Sequence, residues 1–173
     1  YSEKAKGDIF VPKSIFIDAN EYLIIGIDNY AFFNNISINS ISFADDSELE
    51  SIGEDVFFNC SIKKLSIPAC LKHLKEGWCN KVSQLTEIEI SPENELFTFY
   101  DDKILISKTE TDVILLFASR NVETVLIPSN ITRIGEYSFS NCFNLKSLSF
   151  SPSSKLRTIS KNSFTSSRIE EFS

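Results

Sequence analysis

Cys60, Cys70, His73 and Cys79 crowd into one short stretch, and His73 is the only histidine of the chain. Three thiols and an imidazole could in principle hold zinc, yet none of the closely paired Cys spacings of structural zinc sites is present. His73 precedes Cys79 by six residues, which invites a thiol–imidazole nucleophile, but no third group is placed to orient such a pair. In an oxidising compartment Cys70 and Cys79 are the two most suited to a disulfide. Asp45-Asp46 and Asp101-Asp102 lack the alternating ligand spacing of a calcium loop and read as solvated turn residues. No glycine-rich phosphate loop occurs, so the residues foreshadow no catalytic centre, metal or cofactor. Three Asn-x-Ser/Thr sequons, at Asn35, Asn59 and Asn130, are glycan acceptors only if the chain is secreted from a eukaryotic cell.

What positions these residues is a repeat. The triplets Ile38/Ile41/Phe43, Ile62/Leu65/Ile67, Leu85/Ile88/Ile90, Val122/Val125/Ile127 and Leu145/Leu148/Phe150 share one spacing, and Ile169/Phe172 begins a sixth copy. First positions are separated by 24, 23, 37, 23 and 24 residues. A second phrase follows: Ile27 to Asn35, Ile52 to Cys60, Ile134 to Cys142 and Ile159 to Phe164 fit Ile-Gly-x-x-small-Phe-x-Asn-Cys. Cys60 and Cys142 therefore occupy a repeat position that Asn35, Val82 and Ser167 fill elsewhere, the behaviour of a small buried filler. His73 falls where Ser51, Arg133 and Thr158 stand, a solvated position. Leu74 to Cys79 departs by placing Trp78 where the small residue belongs and Cys79 where Phe belongs, which predicts a locally distorted turn.

Apolar residues two apart mark a strand with one buried face, and a unit of about 23 residues cannot bury that face alone. Neighbouring copies must stack, pairing their strands in parallel into one sheet along the array, with a helical or tight-turn return carrying the Phe inward. The long spacing holds an insertion at 92–118: Phe97 to Ile106 alternates, Ser107 to Asp112 is a polar turn and Val113 to Phe117 is apolar, which predicts a β-hairpin. The whole of 1–173 reads as a single domain, with 1–14 a cap or a partial repeat. Without Met, and stopping mid-repeat at Ser173, the chain reads as a piece of a longer protein.

The strongest composite phrase, Ile127 to Leu145, resembles the BspA-like (Treponema pallidum type) leucine-rich repeat family, and the resemblance extends over roughly residues 15–173. It implies a leucine-rich repeat solenoid: a right-handed superhelix with a parallel β-sheet on the concave face, short helical or turn returns and one β-hairpin insertion. It also implies a cell-surface or secreted protein of mucosal bacteria or parasitic protists. Such a protein adheres to host-cell or self proteins and matrix glycoproteins without enzymatic activity; a structural spacer or intracellular scaffold is the alternative.

Between the buried anchors, Ser40, Ser42, Lys64, Ser66, Glu87, Glu89, Thr124, Leu126, Ser147 and Ser149 must point outward, forming the candidate binding face. The aromatic residues Phe97, Phe99 and Tyr100 make the hairpin a rival site. A formal charge of −7 with no clustered basic face argues against nucleic acid, and no apolar run reaches the length of a membrane-spanning helix.

Overall fold

A computed structural model describes residues 5–173 of the chain, which form two compact units, one ending at Glu95 and the other spanning Leu96–Ser173. The first unit contains β1 (Gly7–Val11), β2 (Ser14–Ile17), β3 (Asn20–Leu23), β4 (Gly26–Ile27), β5 (Ile38–Phe43), β6 (Ser51–Ile52), β7 (Lys64–Ile67), β8 (His73–Leu74) and β9 (Glu87–Ile90). β1, β5, β7 and β9 form one parallel ladder in that order, with Ile41 opposite Leu65 and Leu65 opposite Ile88. Each anchor thus stacks on its equivalent one coil away, and Ile38, Ile41, Ile62, Leu65, Ile67 and Leu85 are all essentially inaccessible to solvent. The stretch 1–14, read as a cap or partial repeat, supplies β1 to this ladder; its first four residues lie outside those described.

The second unit contains β10 (Phe97–Tyr100), β11 (Ile104–Lys108), β12 (Val113–Ala118), β13 (Thr124–Ile127), β14 (Arg133–Ile134), β15 (Ser147–Phe150), β16 (Thr158–Ile159) and β17 (Glu171–Phe172). Here β13, β15 and β17 make the parallel ladder, with Val125 opposite Leu148 and Leu148 opposite Phe172. Its core gathers Leu115, Val125, Ile127, Ile131, Ile134, Phe139, Cys142, Leu145 and Leu148. The single sheet expected along the array is therefore divided into one ladder per unit. Between β9 and β13 the sequence inserts a meander, and this is the origin of the long spacing.

That insertion is more elaborate than a hairpin. The alternating run from Phe97 to Ile106 breaks at Asp101 and Asp102, both at positive φ, and β10 folds antiparallel onto β11. β11 then pairs antiparallel with β12. Consecutive left-handed residues suit the twist of a hairpin turn, here closed by Lys103 N donating to Tyr100 O at 3.0 Å, with Lys103 a third loop residue. The same device joins β2 to β3 through Asp18 and Ala19, a hairpin that lacked the usual glycine signal and was missed in the sequence.

A second strand per coil was also missed. Ile27, Ile52 and Leu74 align in the parallel set β4-β6-β8, and Leu115, Ile134 and Ile159 align in β12-β14-β16. Two-residue strands are too short to show a period.

The returns contain no helix among the described residues, and the backbone explains why. Three residues after five of the six second-strand anchors the chain is left-handed, at Tyr30, Asp55, Gly77, Tyr137 and Asn162; it is left-handed again four residues later, at Asn34, Asn59, Lys81, Asn141 and Ser166. No right-handed helix survives a left-handed residue every four positions. Asn, which tolerates this conformation better than most residues, fills the later position in three copies.

Each return instead bonds to the next coil. In the first unit Phe32 N donates to Val56 O at 3.1 Å, Asn34 N to Phe58 O at 2.8 Å and Phe57 N to Trp78 O at 3.1 Å. In the second, Phe139 N donates to Ser163 O at 2.8 Å and Asn141 N to Thr165 O at 3.0 Å. The Trp78–Cys79 exchange keeps this backbone pattern, so the expected distortion does not occur. Gly77 takes the left-handed position, and the buried Trp78 ring meets Phe57 edge-on at 6.1 Å.

Two substitutions separate these terms. Asn141→Val forces a β-branched residue into the left-handed region and should cost about 1–2 kcal/mol, whereas Asn141→Gly should stay within about 1 kcal/mol of the parent. Phe139→Ala, at a fully buried ring stacked 5.0 Å from Phe164, should cost about 3–5 kcal/mol. Urea unfolding midpoints give all three values.

Candidate functional site

The thiols and the imidazole do not converge. Cys60, Cys79 and Cys142 are buried, Cys70 and His73 are exposed, and all four cysteines are free thiols. Among the described residues no group of three or more His, Cys, Asp or Glu could hold a metal ion. Cys60 and Cys142 act as fillers that also bond to the coil before. Cys60 Sγ donates to Phe32 O at 2.8 Å and Cys142 Sγ to Ala118 O at 3.9 Å. Burial raises both thiol pKa values, opposed at Cys60 by a hydrogen bond from the Asn35 backbone and at Cys142 by the Arg120 guanidinium.

Asn35 fills the same repeat position and plays the same part: its Nδ2 donates to Ala5 O at 2.8 Å and its Oδ1 accepts from Ser37 N at 3.1 Å. That buried amide nitrogen is the atom a glycan would require, so the folded chain does not offer it. Asn59 and Asn130 remain exposed. Asp45, Asp46, Asp101 and Asp102 are exposed, the last two forming the β10–β11 turn itself.

In the first unit the outward rows are Ser40, Lys64 and Glu87, then Ser42, Ser66 and Glu89, aligned by the ladder register. β1 extends both rows by residues the sequence left unassigned. Asp8 lies opposite Ser40, and Phe10, 62% exposed, lies opposite Ser42. Asp8 Oδ1 accepts from Ser40 Oγ at 2.6 Å and from Asn39 Nδ2 at 2.8 Å, bonds that hold its carboxyl below the usual range. Lys64 Nζ bonds Glu89 Oε1 at 2.6 Å, which raises the lysine.

In the second unit the rows are Thr124 and Ser147, then Leu126 and Ser149. Leu126 is 54% exposed, an apolar side chain at an outward position. Beside it stands the β10–β11 turn, and the two surfaces read from the sequence as rivals meet there. Tyr100, Asp101, Lys103, Thr124, Leu126 and Ser149 line a pocket of about 260 Å³.

Tyr100 is 47% exposed and Phe99 half-buried, but Phe97, only 4% exposed, belongs to the core and presents no contact surface. Alternation sets Tyr100 on the side opposite Phe97, because neighbouring strand residues face opposite sides, while Phe99 shares the side of Phe97. The turn is held by the Lys103–Asp101 ion pair at 2.9 Å and by Ser119 N donating to Lys103 O at 2.7 Å.

Two buried polar side chains that the repeat pattern did not single out stiffen these units. In the first, Asn94 Nδ2 donates to Pro68 O at 2.8 Å, Leu71 O at 3.0 Å and Ala69 O at 3.3 Å, fixing the turn of the coil before. In the second, Arg120 is only 4% exposed; it lies over the Phe117 ring at 4.5 Å and donates to Ser138 O at 3.0 Å and Ala118 O at 3.2 Å. Their sequence signal was weak, because Asn and Arg normally mark surface.

Stacked parallel ladders joined by left-handed returns define a leucine-rich repeat solenoid. The chain belongs to the BspA type leucine-rich repeat family, whose profile matches residues 13–105 and 115–173 in six copies. Repeats of this kind are typically non-enzymatic modules that bind proteins. No curated protein matches the chain in sequence.

Among solved structures, the pneumococcal vaccine antigen PcpA is similar over 95% of this chain at 24% identity and a TM-score of 0.79; this chain spans only 39% of that one. A leucine-rich repeat protein of Eubacterium ventriosum is similar over 79% of this chain and 47% of its own, at 21% identity and a TM-score of 0.57. A leucine-rich cell surface protein of Faecalibacterium prausnitzii matches at 14% identity and a TM-score of 0.45, covering 98% of this chain and 72% of its own. At these identities the first two likenesses establish the fold alone.

The burial pattern makes a direct chemical prediction. Under native conditions a thiol reagent should modify Cys70 alone within minutes, and full reaction of all four cysteines should require denaturant. Mass spectrometry of the labelled chain gives the count and the position.

Proposed function

We propose that the chain is a non-enzymatic protein-binding module, part of a cell-surface or secreted protein that attaches to host-cell or extracellular-matrix proteins. The observation that carries this reading is the second-unit pocket, where exposed Tyr100 and Leu126 sit beside the hydroxyls of Thr124 and Ser149. A rigid aromatic ring beside an apolar side chain, framed by hydrogen-bonding groups, is the chemistry on which protein partners anchor. Ser and Thr rows alone would solubilise a sheet without anchoring anything. The polar rows of the first unit, with Phe10 at their edge, supply a second contact area, and engagement of several coils at once adds avidity.

The test is binding of the chain to immobilised extracellular-matrix extract and to cultured epithelial cells. The double variant Tyr100→Ala, Leu126→Ala should weaken binding by about tenfold or more, as expected for the loss of an anchor residue. Replacing Lys64, Glu87 and Glu89 by Ala should give a smaller loss, since rows of solvated charge contribute little. No saturable binding by the parent chain would leave the spacer reading standing instead. Unchanged binding in the double variant would exclude the pocket.

A further inference from the structure

The ladder strands of the first unit end in step, and their ends leave a groove. After Phe43, Ile67 and Ile90 the chain turns away through Ala44-Asp45, Pro68-Ala69 and Ser91-Pro92-Glu93, opening a volume of about 380 Å³ across three coils. Its accessible apolar lining is Ala44, Ala69, Ile90 and Pro92, over the buried Phe43 and Ile67, while Asp45, Glu89 and Glu93 are exposed around it. The floor is fixed in advance. Pro68 restricts the chain, Asn94 holds the carbonyls of Pro68, Ala69 and Leu71, and Ser91 N donates to Ile67 O at 2.9 Å.

Charge selects the occupant. Among the described residues no Lys or Arg lines the groove; Lys64 is paired with Glu89 at 2.6 Å and Lys13 with Asp46 at 3.8 Å. The three carboxylates lie on two coils, Asp45 after β5 and Glu89 and Glu93 on the coil of β9, and no metal-holding group exists among the described residues. A compact cation is therefore a poor match. A long side chain that lays an aliphatic stem on an apolar floor and carries its charge to a rim matches well.

We infer that this groove docks an extended, basic segment of a partner protein, with lysine or arginine stems over Ala44, Ala69, Ile90 and Pro92 and their cationic heads at Asp45, Glu89 and Glu93. The inference rests on the reading of the chain as a protein-binding module but not on the Tyr100–Leu126 pocket. It adds a partner chemistry that the repeat alone does not specify.

A fluorescein-labelled peptide of alternating Lys and Ala, and its Glu–Ala counterpart, test it by fluorescence anisotropy against the whole chain. The Lys–Ala peptide should bind, weakening as salt rises from about 20 to about 150 mM, and the Glu–Ala peptide should not. The triple variant Asp45→Asn, Glu89→Gln, Glu93→Gln should lose about tenfold or more in affinity. A control variant of equal charge change, Glu54→Gln, Glu110→Gln, Glu170→Gln, should stay within about twofold.

Equal losses in the two triple variants would overturn the groove by showing only non-specific attraction to an acidic chain. An unchanged groove variant would overturn it as well. Matrix binding lost in Tyr100→Ala, Leu126→Ala while the Lys–Ala peptide still binds would place the two sites apart. Peptide binding absent while the parent still holds matrix would sink the groove and leave the broader reading intact.

Discussion

A coil of some two dozen residues has no interior of its own, and everything in this chain follows from that shortage. Its strand donors and acceptors are satisfied one coil away, as are the amides of its returns, so backbone bonding fixes the axial register twice per coil. With the register fixed, equivalent anchors stack, and Leu65 between Ile41 and Ile88 is buried by its own counterparts. Hydrophobic burial supplies the driving force, while the hydrogen bonds decide which arrangement realises it. The buried side-chain bonds of Asn35, Cys60 and Cys142 to preceding carbonyls repeat the same rule at smaller scale.

The same regularity governs what reaches the surface. Once anchors at alternate positions are committed inward, the residues between them are committed outward, and the register lines them into rows. Function then depends on departures from uniformity. Leu126 and Phe10 stand among hydroxyl and charged residues, and Tyr100 is carried to the second-unit face by an insertion rather than by the repeat. The first unit offers carboxylates around an apolar floor and the second offers an aromatic ring and an aliphatic side chain, so the two surfaces differ in the chemistry they present.

The ladders, their buried anchors and the outward rows were legible in the sequence because alternation over a few residues, repeated many times, leaves little freedom. The second strand of each coil was not, since a two-residue pairing such as Ile52–Leu74 has no period to detect. The hairpin turn at Asp18-Ala19 was obscured because residues other than glycine took the left-handed positions; Asp101-Asp102 did read as turn residues, but the alternation of Phe97 to Ile106 ran through them as one strand and hid the reversal. For the returns, small-Phe-x-Asn reads equally as a short helix or a turn, and only the paired left-handed positions decide. The groove was beyond sequence reasoning altogether, because its walls come from residues a full coil apart. Arg120 escaped because its stabilising partners are backbone carbonyls, which carry no sequence signature.

The left-handed returns divide each coil into two arcs of unequal tolerance. From the second-strand anchor to the next ladder anchor the chain takes ten or eleven residues in five copies (27 to 38, 52 to 62, 74 to 85, 134 to 145, 159 to 169) and seven after the meander (115 to 122), where no left-handed residue occurs. From ladder anchor to second strand it takes 12 or 14 residues in four copies and 30 where the meander enters. Wherever the left-handed return is present, one arc is thus a near-constant gauge, and the other absorbs most of the change of length. The β2–β3 hairpin, the meander and the strand ends that border the groove all lie on the elastic arc. Lineages that alter recognition, and engineers who graft new loops, have that arc to work with, while the gauge beneath keeps the coils in step.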